Sequence, residues 1–512
     1  METHSSQQPR AWSQWSNRIL ILSLLGIFSL TLFPFRFDFA APHSRNTSPL
    51  FLGPVLKHGD HLDFYLNVLL FVPFGFGLSA QLRKRGVSRG RAMVLALTAG
   101  AVTSYVVEFL QFYIPTRSSG WDDVASNTVG AVAGFLLFDL WGEMLLKPLS
   151  AWEEWVEAWF SLRRACIFLL AYLCFFFTLT ILLQSETRLS NWDTTAPMFV
   201  GSDGTARHAW KGQIAKLQIW NRALSDESAQ KLTSGETAPD TEVGLLASYE
   251  FAGAPPYSDQ KKSLPALNWI SSSPPFDPKV LDLNGSSWLS TKDPVTDLTQ
   301  ELKRTNQFAV RAVCAPANVA NLEQLIVSIS HVYGTPNLTL RREAADFLFW
   351  FRNPLSMYRS VLVWRVRGIF APGETRDILV SYDGSSLSLF VDGKKETRVY
   401  YLSPGAALVH KFSRVVVSDL DGYLVTYDLL IFLPAGLSLG MIARKVPSKK
   451  VAGRLLLLLG FLSPPALYQF ILVWVSGRAV SWWELILCLL LTVLGAWLIN
   501  ADRSDGVLVR VP

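Results

Sequence analysis

The chain has 512 residues, of which 50% are hydrophobic and 17% are charged, and its mean hydropathy is +0.25. This mixture predicts a membrane protein with a sizeable soluble part. The net charge of +6 comes largely from Lys and Arg in short loops between apolar segments, so it does not indicate nucleic-acid binding.

Eight apolar stretches are long enough to cross a bilayer, which takes about 20 residues each. Pro34 and Arg36 cut the first stretch short, and Arg10 and Arg18 precede it. A cleaved signal peptide is therefore an alternative for this segment. The spans are predicted to begin near Ile19, Tyr65, Ala92, Val124, Ala165, Tyr423, Leu455 and Trp482.

Lys and Arg are concentrated after the second and the sixth span, at residues 83–91 and 444–454. Because short cytoplasmic loops are enriched in these residues, both loops and both chain termini are predicted to face the cytoplasm. Residues 152–160 form an amphipathic segment before the fifth span. This segment predicts a helix at the membrane interface.

Between Thr187 and about Lys411 the hydrophobic blocks become short, and Gly, Ser, Asp and Asn separate them. This pattern predicts an antiparallel β-sandwich, which the span count places outside the cytoplasm. Asp-Gly pairs at 383–384 and 392–393 are typical of hairpin turns. The candidate strands are Gln213–Trp220, Leu245–Phe251, Gln307–Val313, Leu325–Ser330, Phe347–Phe351, Asp377–Tyr382 and Leu387–Val391.

Three phrases of this region, ILVSYDGSSLSLFVDGKK, LDLNGSSWL and FAVRAVCAP, resemble strands of the laminin-G-like and concanavalin A-like lectin/glucanase family. The segment at 210–225 resembles that family's closing strand, yet it precedes the segment at 244–251, which resembles the opening strand. The resemblance therefore implies a circularly permuted jelly roll. No strand carries the two flanking carboxylates that glycoside cleavage normally needs, so binding or shielding is expected rather than catalysis.

Two hydrophobic segments match without a gap although they lie 361 residues apart. NVLLFVPFGFGLSAQLRK contains Pro73, and DLLIFLPAGLSLGMIARK contains Pro434 at the equivalent place. The match predicts two four-helix repeats, with the β-sandwich inserted in the second. The predicted domains are a first repeat at 1–147, an interfacial segment and fifth helix at 148–186, the β-sandwich at 187–412, and helices six to eight of a degenerate second repeat at 413–512.

The phrases HGDHLDFYLNVLLFVPFG and VVEFLQFYIPTRSSGWDDVASNTVGAVAG are similar to the VanZ-like family. The similarity covers about residues 55–140 well and residues 420–496 weakly. It implies a bacterial cell-envelope protein of the inner membrane, associated with resistance to glycopeptide antibiotics of the teicoplanin type. It implies no biochemical mechanism.

Polar residues of the VanZ-like region are predicted to converge at one depth of the helix bundle. Glu108 and Gln111 lie three apart, hence on one helix face. An ionisable group inside a span is costly unless it faces the bundle interior. The candidate ligand-binding residues are His61, Asn67, Glu108, Gln111, Arg117, Asp122 and Asn127.

Three interpretations of this polar cluster are open. It is a pocket for the headgroup of a lipid-linked or amphipathic ligand, in which Arg117 contacts an anionic group. Alternatively, it is a buried ion-pair network that fixes helix register, or the site of a membrane enzyme or transporter acting through Glu108, Arg117 and Asp122. In the second copy Gln469 replaces Glu108 and Leu472 replaces Gln111, so the cluster is expected to be lost there, which favours a role beyond packing.

No cofactor or metal is predicted, because His58 and His61 have no third ligand in an obvious position. The cysteine spacing predicts no disulfide in the β domain, where Cys314 is alone. The expected partners are membrane lipid and a cell-wall glycan or lipid-linked precursor, but not nucleic acid. The sequence predicts no oligomeric state.

Overall fold

The computed structural model describes residues 10–33, 35, 37, 61–114, 117, 119–270, 280–318, 323–357, 363–396, 399–412, 421–446 and 451–500. The chain forms two compact units. We call them the helical unit, which comprises Met1–Phe176, Val425–Ala466 and Trp482–Pro512, and the β unit, which comprises Phe177–Leu424 and Leu467–Ser481.

Twelve α-helices are defined in the described part of the chain. They are α1 (Arg10–Thr31), α2 (His61–Lys84), α3 (Arg89–Gln111), α4 (Trp121–Trp159), α5 (Leu162–Ser185), α6 (Asp226–Thr233), α7 (Thr296–Thr305), α8 (Pro354–Met357), α9 (Pro404–Phe412), α10 (Asp421–Lys445), α11 (Val451–Ser476) and α12 (Trp482–Asn500).

Seven of the described helices, α2 to α5 and α10 to α12, are long and apolar enough to cross a membrane. This confirms the prediction of a multi-pass helical membrane protein. The apolar part of α1, Trp15–Thr31, is shorter, so the eighth span stays a prediction. α4 runs through Pro148 without a break. The segment at 152–160, predicted as a separate interfacial helix, is therefore almost entirely the last part of α4, which ends at Trp159.

Glycines set the closest contact between α2 and α4. A Cβ atom added at Gly75 would lie 1.9 Å from the carbonyl oxygen of Ala131, and one added at Gly134 would lie 2.1 Å from that of Val72. The two backbones therefore touch, as is common where small residues line the contact between membrane helices. This contact holds α2 and α4 side by side, and the amino-terminal parts of both helices carry several of the predicted site residues.

The same backbone contact recurs between α10 and α12. A Cβ atom added at Gly436 would lie 2.1 Å from the carbonyl oxygen of Thr492, and one added at Gly495 would lie 2.3 Å from that of Leu433. Each of these four residues lies 361 positions after its counterpart in the α2–α4 contact. The agreement between the two matched segments thus extends from their sequences to their packing.

Arg18 links α1 to the end of α12 within the helical unit. Its side chain is 7% exposed. Its Nε donates to the carbonyl oxygen of Leu498 at 3.0 Å and its Nη2 to that of Ile499 at 3.2 Å. The last carbonyls of a helix lack partners within the helix, and a cation there is favourable. Arg18 therefore fixes α1, which forms one wall of the cavity described below.

The β unit contains two antiparallel sheets. One has the strand order β11-β10-β9-β8-β1-β6-β4, and the other has the order β14-β13-β12-β7-β2-β3, with β15 paired to β13 and β5 to β2. The described strands are β1 (Met198–Val200), β2 (Lys211–Trp220), β3 (Leu245–Glu250), β4 (Asn268–Trp269), β5 (Leu281–Asn284), β6 (Leu289–Ser290), β7 (Phe308–Pro316), β8 (Glu323–Ile329), β9 (Leu338–Glu343), β10 (Asp346–Phe351), β11 (Trp364–Val366), β12 (Arg376–Tyr382), β13 (Ser386–Val391), β14 (Lys394–Lys395) and β15 (Tyr400–Tyr401).

All seven predicted strands are confirmed, with small shifts at their ends. The hairpin between β12 and β13 turns at the first predicted Asp-Gly pair, where Gly384 has φ +98°. The aromatic residues are mostly core: Trp210 and Tyr249 are fully buried, and Trp288 and Trp350 nearly so. The two sheets confirm an all-β domain, whereas its lectin-like identity and circular permutation stay predictions.

Candidate functional site

A cavity of about 940 Å³ lies among α1, α2, α3 and α4 of the helical unit. α1 and α3 end, and α2 and α4 begin, at one end of it. The charged and amide lining residues collect at that end, and the wall toward the middle of α1 and α2 is apolar except for Ser23. The polar lining residues include Asp63, Asn67, Glu108, Gln111, Arg117, Asp123 and Asn127, and the apolar ones Ile19, Leu22, Leu30, Leu66, Leu69, Leu70 and Pro73.

Glu108 lies in the last turn of α3 and is 2% exposed. Its Oε2 accepts a hydrogen bond of 2.9 Å from the backbone N–H of Gly120, the residue immediately before α4. Negative charge beside a helix amino terminus is favourable. Glu108 therefore fixes the start of α4 as well as lining the cavity.

A hydrogen-bonded pair, Asn67 and Asp123, joins α2 to α4 across the cavity. Asn67 Nδ2 donates to Asp123 Oδ1 at 2.7 Å. One turn further along α4, Asn127 Nδ2 donates to Ser104 Oγ of α3 at 2.8 Å. Asn127 is 2% exposed, and its Oδ1 makes no hydrogen bond to any described residue. Asn127 is one of the residues that line the cavity.

Gln111 and Arg117 bind the carboxyl end of α1. Gln111 Nε2 donates to the carbonyl oxygen of Thr31 at 2.9 Å. Arg117 donates from Nε to Phe33 O and from Nη2 to Leu30 O, both at 3.0 Å. These bonds satisfy carbonyls that a helix end leaves without partners. The two side chains thus have a capping role in addition to their place in the cavity lining.

The charge of Arg117 interacts with that of Glu108. Although the Arg117 side chain is exposed overall, burial of part of the guanidinium lowers its pKa, and the Glu108 carboxylate opposes this shift. An Arg stays protonated despite such a shift. The polar end of the cavity therefore contains a fixed positive charge beside a buried carboxylate.

Replacing Arg117 with Lys is expected to lower the melting temperature of the detergent-solubilised protein by about 2–4 °C. A Lys ammonium cannot reproduce the two fixed N–H directions of a guanidinium, and losing one such bond at an exposed position costs about 1 kcal/mol. Thermal unfolding followed by tryptophan fluorescence measures the change. Arg163→Lys, at an exposed position, is the control. Equal melting temperatures for both variants would show that the capping bonds add no stability.

The cavity brings together five of the seven predicted site residues: Asn67, Glu108, Gln111, Arg117 and Asn127. Asp122 is not among its lining residues, and the adjacent Asp123 takes that place. His61 begins α2, but its side chain lies outside the described part of the chain. The signal for Asp123 was its spacing of four residues from Asn127, which puts both on one face of α4.

The second copy also keeps buried acidic residues, contrary to the expected loss of its polar cluster. At the offset of 361 residues, Asp428 corresponds to Asn67 and Glu484 corresponds to Asp123. Both acidic side chains are fully buried in the helical unit. The counterpart of Asp122 is Trp483, so the carboxylate that persists in the second copy is the one at the position of Asp123.

The β unit has a smaller groove of about 530 Å³ beside β2 and β7. Its floor includes Arg311, which is 8% exposed and forms a bidentate ion pair with Asp377 at 2.5 and 2.8 Å. Burial raises the pKa of Asp377, and the Arg311 guanidinium opposes the shift. Other polar residues that line the groove are Lys216, Gln218, Glu236 and Glu242. The groove offers polar side chains to a ligand, and glycan binding by this unit stays a prediction.

Comparison with known proteins concerns the amino-terminal region. Residues 5–142 match the family described as VanZ/LLP1. Protein VanZ of Enterococcus faecium is 29% identical over 125 residues, which are 24% of this chain and 74% of that protein. No solved structure matches the chain. The predicted VanZ-like similarity is confirmed for this region, which contains all the cavity-lining residues, and it stays a prediction for residues 420–496.

Proposed function

We propose that this chain is a cell-envelope membrane protein whose cavity among α1 to α4 binds an amphipathic or lipid-linked ligand, and that this binding contributes to glycopeptide resistance of the teicoplanin type. The observation that carries the proposal is the cavity itself, whose polar residues lie at one end and whose apolar residues extend along α1 and α2. Its volume falls within the range of small-molecule sites, about 300–1,000 Å³.

Binding accounts for the polar residues better than catalysis does. Gln111 and Arg117 donate to carbonyls of α1, and Glu108 accepts from the backbone of Gly120. These bonds all run to backbone groups, so none of them joins two side chains as a nucleophile and its base. Asp122, a member of the alternative enzymatic set, does not line the cavity.

The wider architecture belongs to the same proposal. The Lys- and Arg-rich loops at 83–91 and 444–454 support an orientation in which both termini lie in the cytoplasm. In this orientation the polar end of the cavity faces outward. The matched backbone contacts at Gly75 and Gly436 support two related helix repeats, with α1 as an eighth span. The β unit would then be a permuted, lectin-like domain on the outer side, where its groove would bind glycan of the cell wall.

Gly26→Phe is expected to block the cavity and to lower binding of a fluorescent amphipath by at least about ten-fold. Gly26 lines the cavity, and a Cβ atom added there would meet no other atom within 4 Å, so the ring enters open space. Phe is also a better helix former than Gly, so the fold should persist. Binding is measured on the purified full-length protein in lipid nanodiscs, and teicoplanin susceptibility is measured in cells at equal protein level.

The matched control is Gly90→Phe. Gly90 is exposed on α3 and likewise has open space around an added Cβ atom, but it does not line the cavity. The proposal requires that this variant bind the amphipath and resist teicoplanin as the unmodified protein does. If Gly26→Phe also leaves binding and susceptibility unchanged, the cavity is not the ligand site.

A further inference from the structure

We propose that the cavity selects an amphipath whose headgroup is a protonated amine with N–H donors, rather than an anionic group such as a phosphate. This inference rests on the proposed function, because it names the chemical class of the amphipath that the cavity would hold. It differs from the anionic ligand expected from Arg117 alone, and the bonding of the lining residues is the reason.

Among the described residues, more carboxylates than cations line the polar end of the cavity. Its described lining residues include three carboxylates, those of Asp63, Glu108 and Asp123, and one cation, Arg117. Charges interact more strongly in a partly buried site than in water. An anionic headgroup would meet an excess of like charge, whereas an ammonium group would be attracted.

Arg117, the cation among the described lining residues, directs its donors toward the protein. Two of the three guanidinium nitrogens of Arg117 donate to the carbonyl oxygens of Leu30 and Phe33. Recognition of phosphate or carboxylate by Arg usually uses a pair of parallel N–H donors. Because Nε and Nη2 already donate to these carbonyl oxygens, they do not offer that pair of donors to an anionic ligand.

The amide side chains also turn their nitrogens toward protein acceptors. Asn67 Nδ2 donates to Asp123, Gln111 Nε2 donates to Thr31 O, and Asn127 Nδ2 donates to Ser104 Oγ. In Asn127 the opposite atom, Oδ1, is buried and receives no hydrogen bond from the described residues. A buried acceptor without a donor is costly, and a ligand N–H would remove that cost.

The apolar wall distinguishes an amphipath from a free amine. Leu22, Leu69 and Leu70 line the cavity away from the carboxyl end of α1. An alkyl chain in contact with these side chains leaves its headgroup near Asn127 and the carboxylates. Ligand affinity should therefore rise with chain length for amines of the same headgroup.

Three probes with one dodecyl chain test the headgroup class: dodecylammonium, dodecyltrimethylammonium and dodecyl phosphate. Each competes with the fluorescent amphipath for the full-length protein in phosphatidylcholine nanodiscs at pH 7. Nanodiscs that contain the Gly26→Phe variant measure how much of each probe partitions into the lipid alone. We expect dodecylammonium to compete at a concentration about ten-fold lower than dodecyl phosphate, since a bond between charged partners is strong. Dodecyltrimethylammonium, which has the charge but no N–H donor, should fall between them.

Asn127→Leu should reduce the preference for dodecylammonium about three- to ten-fold without changing competition by dodecyl phosphate. Should this variant fail to fold, Asn127→Asp adds a carboxylate at the same place and should raise the preference instead. If dodecyl phosphate competes as well as dodecylammonium at a site that Gly26→Phe removes, the headgroup inference is wrong and the proposed function stands. If no probe shows competition sensitive to Gly26→Phe, the proposed function fails, and the inference fails with it.

Discussion

Gly75→Ala and Gly436→Ala are each expected to lower the free energy of unfolding by about 2 kcal/mol, although both substitutions replace a poor helix former with the best one. A Cβ atom would lie 1.9 Å from Ala131 O in the first case and 2.1 Å from Thr492 O in the second. Both neighbours are backbone atoms, so the helices must separate. Overpacking typically costs about 1–3 kcal/mol, and a contact with backbone atoms belongs at the upper end of that range, which exceeds the gain of about 1 kcal/mol in helix propensity.

Fluorescence-detected size-exclusion chromatography of the solubilised full-length protein measures the monodisperse fraction before and after heating. Gly90→Ala, in open space on α3, is the control and should match or exceed the unmodified protein in stability. Gly75→Ala and Gly436→Ala should lose similar amounts of the monodisperse fraction, because the two contacts have the same geometry. A severe loss for Gly75→Ala with full tolerance of Gly436→Ala would contradict the equivalence of the two helix pairs.

Helices and strands were predictable because their signals are local. Long apolar runs predict the membrane helices. The alternation of apolar and polar residues on both sides of Asp383-Gly384 predicts the hairpin of β12 and β13. The end of α4 was harder to predict, since Pro148 usually breaks a helix in water. In membrane proteins such a Pro is tolerated within a helix, and α4 continues through it.

Much of the cavity lining was predictable, but the partners of its side chains were not. Polar residues within apolar helices indicate that a bundle interior or cavity exists. Which of Asp122 and Asp123 enters the cavity depends on a rotation of about 100° per residue around α4. The partners of Glu108 and Arg117 are backbone groups of Gly120 and Phe33. Backbone groups have no residue-type signal, so only the folded chain identifies them.

Glu108→Gln is expected to lower dodecylammonium binding about 10- to 100-fold while it leaves the melting temperature nearly unchanged. The Gln side chain keeps an oxygen that can accept the N–H of Gly120, which Glu108 binds at 2.9 Å, but it loses the negative charge. A hydrogen bond to a charged partner is worth about 1.5–3 kcal/mol, which corresponds to that range of affinities. Binding is measured by competition in nanodiscs, and stability is measured by thermal unfolding.

Two further variants separate the binding role of Glu108 from its structural role. Glu108→Ala removes the acceptor as well as the charge, so it should lower both binding and the free energy of unfolding, the latter by about 1–3 kcal/mol. Asp122→Asn removes a carboxylate in the first turn of α4 that does not line the cavity, so it should leave binding unchanged and lower the free energy of unfolding by no more than about 0.3–1 kcal/mol. If Glu108→Gln binds dodecylammonium normally and only Glu108→Ala is defective, the carboxylate serves α4 alone. If Asp122→Asn weakens binding as much as Glu108→Gln does, the attraction comes from the general charge at the helix start and not from a group in the cavity.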